Sequence, residues 1–103
     1  MKAPYRLKYT NDVMEHLDWI DRKYYSLIRR NFEEQLKHEP LKITRNRKPL
    51  KRIGPFGATW ELRFGPGNRF RVFYMVNTEK KEVIILAIGI KKRERLYIGG
   101  EVV

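Results

Sequence analysis

Two arginines, Arg63 and Arg71, fall in the stretch WELRFGPGNRFRVFY (residues 60–74), where two short strands would turn them to one side. Trp60, Leu62 and Phe64 share one parity, as do Phe70, Val72 and Tyr74, so each strand has an apolar face. Glu61, Arg63, Arg69, Arg71 and Phe73 occupy the other face. A row of guanidiniums suits contact with phosphates or bases, since its planar forks grip phosphate oxygens bidentately. A second basic group, Lys91, Lys92, Arg93 and Arg95, is followed by Tyr97, which adds a flat ring on which a base can stack. Each feature also has a plainer reading. Surface arginines pair readily with a neighbour such as Glu61, and a tyrosine near a strand end often just packs. Residue types alone leave both readings open.

The elements around these residues follow from their periodicity. Tyr5-Leu7-Tyr9 alternates with Arg6-Lys8 as a short strand. Asn11 is the expected helix cap, followed by a stripe of Val13, Met14, Leu17 and Ile20. A second helix is expected from about Asp21 to His38, burying Tyr24, Leu27, Ile28, Phe32 and Leu36 until Pro40 stops it. Residues 41–58, LKITRNRKPLKRIGPFGA, read as a basic linker of mostly irregular backbone. Gly65-Pro66-Gly67-Asn68 supplies a hairpin turn, VIILAI (83–88) reads as a central strand covered on both sides, and Leu96–Ile98 as one more short strand. This order predicts one α+β domain over residues 1–103: a small, twisted, mainly antiparallel sheet with the N-terminal helix pair packed on one face. Trp60 and Tyr74 are expected in the core, His16 and His38 on helix surfaces, and Gly99-Gly100 in a terminal turn.

Charge narrows the partners. The chain of 103 residues has a net charge of +11. Residues 40–57 hold six Lys/Arg and no acid. Such a field favours polyanions, and Lys48, Lys51 and Arg52 of the linker are candidates to track a nucleic-acid backbone, if the segment is not simply a solvated loop. No cysteine is present, which excludes disulfides, thiolate metal sites and a thiol nucleophile and suits a reducing cytoplasm. Neither histidine has a spaced partner for a metal, the N-terminus MKAPYRLKYT lacks the apolar core of a signal peptide, and no run approaches the ~18 apolar residues needed to span a bilayer. No cofactor, metal or membrane is expected.

The helix pair, Pro49-Leu50-Lys51, the core WELRFGPGNRFRVFY and VIILAIGIKKRERLY together resemble the RelE/ParE superfamily of toxins from type II toxin–antitoxin modules, RelE-like members in particular. The resemblance covers almost the whole chain. It implies a RelE-like fold, an acidic cognate antitoxin as partner, and action on the ribosome. RelE-like members cut messenger RNA there, without metal, by directing its own 2′-hydroxyl at the adjacent phosphate. By position, the resemblance assigns Arg63, Arg71, Lys91, Arg93 and Tyr97 to catalysis, Arg71 as the phosphate clamp and Tyr97 as the residue that orients RNA or assists proton transfer. Lys48, Lys51, Arg52, Arg69, Phe73, Lys92 and Arg95 are then expected to bind RNA, Phe73 by stacking. Lys48 stands where some relatives have a glutamate base, and Glu61 where RelE has a lysine, so the base is unassigned. The alternatives are a ParE-like inhibitor of DNA gyrase that cleaves nothing, and a non-toxic nucleic-acid-binding relative.

Overall fold

The computed structural model describes residues 4–103, so residues 1–3 of the expected domain lie outside it. Strand β1 (Arg6–Tyr9) leads into helix α1 (Asn11–Asp18). Helix α2 (Tyr25–Asn31) is entered through a 3-10 turn, Arg22–Tyr24, and continues as a π-helical turn, Phe32–Leu36. Six strands follow: β2 (Arg47–Pro49), β3 (Trp60–Phe64), β4 (Phe70–Asn77), β5 (Glu82–Lys92), β6 (Arg95–Ile98) and β7 (Glu101–Val102). They line up in the order β2-β3-β4-β5-β6-β7 with every neighbour antiparallel, and β1 joins β5 in parallel. The expected α+β architecture is the one observed.

One local expectation changes, and one is refined. The cap of α1 is Thr10, not Asn11: its Oγ1 accepts the Val13 N–H at 3.3 Å and donates to the Ile85 carbonyl at 3.3 Å, tying the helix start to the sheet. The basic segment is not wholly irregular, because Arg47–Pro49 pairs with Trp60–Leu62 as β2. Arg47 lies opposite Leu62 and so points to the helix side, where it is buried. Its guanidinium donates to the carbonyls of Lys42 and Gln35, clamping the linker to the end of the second helix.

The main core lies between the helices and one sheet face. Val13, Ile28, Phe32 and Leu36 meet Leu62, Val72, Tyr74, Ile85 and Ile88, whereas Met14 of the expected stripe is exposed. Tyr74 is fully buried, and its hydroxyl donates to the Pro40 carbonyl at 2.7 Å, which fixes the point where the helical region ends. A register shift at Phe73/Tyr74 lets β5 present Val83 and Ile85 before the bulge, and Ile88 and Ile90 after it, to the same helix side. That accounts for a strand apolar at every position of VIILAI.

The other sheet face carries a smaller core. Phe73, Ala87 and Ile98 are sealed there by Ala58 and Leu50 of the linker. This cover reaches only part of the face and leaves the β3–β4 hairpin end open.

Candidate functional site: a guanidinium pair bridged by one carboxylate

Register places Arg63 directly opposite Arg71 on the open face. Like charges so placed repel, and the arrangement needs a counter-charge. Glu61 supplies it: Arg63 Nε donates to Oε1 at 3.1 Å, and Arg71 Nη1 lies 3.8 Å from Oε2. Arg71 is held a second time, because its Nε donates to the Asn68 carbonyl at 3.1 Å in the hairpin turn. Gly65 and Gly67, both at positive φ, shape that turn, and a Cβ at Gly65 would stand 2.6 Å from the Phe70 ring. Turn, acid and strand register thus fix the direction of the Arg71 fork.

Burial, and then the neighbouring Arg63, push the Arg71 pKa below its ordinary value, while Glu61 opposes them. An arginine so shifted is still charged at neutral pH, so the site is a desolvated, oriented cation. Glu61 is itself buried, accepts from the Arg63 guanidinium and lies at ion-pair distance from that of Arg71.

Beside this pair is a cleft of about 340 Å³ lined by Pro66, Gly67, Arg69, Arg71, Lys91 and Arg93. The β5–β6 hairpin brings the last two there, with Lys91 on the Arg71 side of the sheet and Arg93 at the tip with φ +59°. Arg69 is at the rim, its Nη1 donating to the Tyr24 hydroxyl at 3.0 Å. The lining, all within the described residues, has no carboxylate or imidazole. Also among the described residues, no three His, Cys, Asp or Glu side chains are grouped to hold a metal.

The remaining sequence-predicted residues divide. Tyr97 pairs with Ile90, whose side chain packs on the main core, so Tyr97 and Lys92 belong to the helix side, opposite Arg71. There the Lys92 ammonium lies 5.9 Å from the Tyr97 ring centre. Arg93 spans the division, since it also lines a shallow depression with Lys92, Arg95 and Tyr97. Lys48 is opposite Glu61 on the arginine face, and Lys48, Lys51 and Arg52 are exposed along the linker. Phe73 needs correcting: it is on the expected face but only 3% exposed, under Ala58 and Leu50, and cannot stack on RNA. Strand parity gives the face correctly but carries no signal of the linker residues that cover it.

Sequence reasoning missed His16. It is buried rather than on a helix surface, and Nδ1 accepts the Ile88 N–H at 3.4 Å. β1 occupies one edge of β5 at Glu82–Ile85 and β6 the same edge at Gly89–Lys92, so Ile88 falls in the gap and His16 satisfies it. Burial pushes the His16 pKa down, with Asp12 and Glu15 opposing. No periodicity signals a partner from another element.

The family profile described as phage derived protein Gp49-like (DUF891) matches residues 15–98. No curated protein matches the sequence. Among solved structures, the chain is similar to one in the toxin–antitoxin complex RelBE2 from Mycobacterium tuberculosis. The TM-score is 0.69 at 25% identity, covering 85% of this chain and 99% of that one. The matched span runs from the second half of α1 through the arginine hairpin and the basic tip, and with the shared RelE fold it shows that the chain belongs to the phage-derived Gp49-like family, a family of RelE-like toxins.

Proposed function

We propose that this chain is the toxin of a type II toxin–antitoxin pair and cleaves messenger RNA on the ribosome. The observation that carries the reading is the Arg63–Glu61–Arg71 bridge at the edge of a cation-lined cleft. Cleavage by the RNA's own 2′-hydroxyl forms a 2′,3′-cyclic phosphate and breaks the bond to the 5′-oxygen. The protein must then hold that hydroxyl in line with the bond, stabilise charge on the pentavalent phosphorus and protonate the leaving oxygen. Arg71 is the phosphate clamp, and Arg63 and Arg93 add charge on either side. Lys91 is the proton donor to the 5′-oxygen, since a guanidinium keeps its proton near neutral pH. The 2′-hydroxyl proton passes to solvent, because the cleft lining offers no carboxylate or imidazole. Lys48, Lys51 and Arg52 guide the domain along ribosomal RNA.

The partner is an acidic antitoxin that covers the arginine cleft and orders as it binds. The similarity to a toxin–antitoxin complex supports a partner of this kind. Induced expression with separate readouts of protein synthesis, messenger cleavage and DNA damage tests the whole reading. Arrested synthesis with cut messenger is expected. DNA damage with intact messenger overturns it in favour of gyrase inhibition, and normal growth overturns it in favour of a non-toxic relative.

A further inference from the structure

On the helix side, α1 and the C-terminal hairpin enclose a cleft of about 230 Å³ whose walls include His16, Trp19, Lys92, Tyr97, Gly99 and Gly100. The Gly99-Gly100 pair does more than turn the chain. A Cβ on Gly99 would stand 3.2 Å from His16 Cδ2, and one on Gly100 would stand 2.7 Å from the Trp19 ring, so both glycines let α1's rings close on the hairpin. Trp19 is nevertheless 68% exposed, which is unusual for the largest apolar side chain. His16, only 6% exposed, uses Nδ1 as acceptor for Ile88, so its proton is on Nε2. No buried side-chain nitrogen or oxygen among the described residues lacks a partner, and no hydrogen bond occupies Nε2, so that N–H keeps access to solvent on a residue that lines the cleft.

We propose that this cleft is a nucleobase site: one unstacked RNA base lies against Trp19 and Tyr97, a ring or carbonyl acceptor on its edge takes the His16 Nε2–H, and Lys92 neutralises the adjoining phosphate. The walls suit this occupant better than an acidic peptide, because the cleft offers flat aromatic faces and one buried donor with a single cation at its mouth. It also joins the two faces of the molecule. Arg93 borders both the arginine cleft and the depression beside Tyr97, so a strand whose phosphate is clamped by Arg71 can pass over the β5–β6 tip and leave a neighbouring base on the helix side. The inference extends the mRNA-cleavage reading and rests on it for the identity of the strand.

The test is binding of a fluorescein-labelled hexauridylate to the purified protein without ribosomes, across a salt series, with thermal unfolding of each variant as control. Trp19→Ala, at an exposed position, is expected to weaken binding about tenfold with an unchanged salt slope, as stacking requires. Lys92→Ala should lower the slope by about 0.7. His16→Asn keeps an oxygen near the Nδ1 position for Ile88 but loses the Nε2–H, and should weaken binding in a protein that still folds. No binding by the wild type, or wild-type affinity in both Trp19→Ala and His16→Asn, overturns the proposal. Cleavage activity takes no part in the measurement, so a failure here leaves the reading of the arginine cleft standing, and a failure to cleave does not touch the base site.

Discussion

Arg71 and Phe73 stand two residues apart on the same face of β4 and have opposite fates. Arg71 borders an open cleft, whereas Phe73 is sealed beneath Ala58 and Leu50. The strand treats them alike; the linker does not. Its last turn folds back over the half of the face nearer the middle of the sheet and stops short of the hairpin end, where Gly65–Asn68 and the β5–β6 tip leave room for a ligand. A sheet face is therefore not functional as a unit. What the crossing segment covers becomes core, and what it leaves uncovered can carry buried but reachable charge.

The largest effect should come from the covered half. Phe73→Ala removes a buried ring from a core of few members and should cost ~3–5 kcal/mol in denaturant unfolding. A loss near zero would mean that the linker does not cover this face. Next is the bridge in the open half. Glu61→Gln leaves Arg63 and Arg71 opposed without a counter-charge and should cost about 1–2 kcal/mol, discounted because the Arg63 side chain is 36% exposed. The loss should shrink at high salt, where repulsion is screened; salt independence would argue against the bridge.

The smallest effect concerns acid. His16 has a folded pKa below its ordinary value, so in the window beneath ~6.5 the unfolded chain binds more protons than the folded one. Stability is then level above that pH and falls as pH drops through it, by at most ~1.4 kcal/mol per pH unit. Asp12 and Glu15 on α1 moderate the slope. His16→Asn should flatten this part of the profile. An unchanged slope would assign the acid sensitivity to other groups.

Much of this organisation is legible from the residues. Period-two alternation locates β3 and β4, the all-apolar run locates β5, the short run Leu96–Ile98 locates β6, and the parity of Glu61, Arg63 and Arg71 puts them on one face, as register confirms. Glu61 as an ion-pair partner also follows from that parity. What stays hidden depends on contacts distant in sequence. The burial of Phe73 depends on Ala58 and Leu50, that of Arg47 on a three-residue strand inside a basic loop, and that of His16 on a gap between two strands that share one edge of β5. Tyr97 follows the same rule: the short strand is readable from Leu96–Ile98, but which of its sides meets the helices is decided by the pairing of Tyr97 with Ile90.

The central claim is that the open half of the face, and not the covered half, carries the chemistry. Messenger cleavage on programmed ribosomes, with Arg71→Lys and Phe73→Leu compared side by side and their unfolding followed in parallel, tests it directly. Arg71→Lys keeps the charge but loses the planar fork, and should fold normally while cutting ~10²-fold more slowly or worse. Phe73→Leu should lose stability and, below its unfolding transition, cut at close to the wild-type rate. A fully active Arg71→Lys, or a folded Phe73→Leu that no longer cuts, would contradict the account.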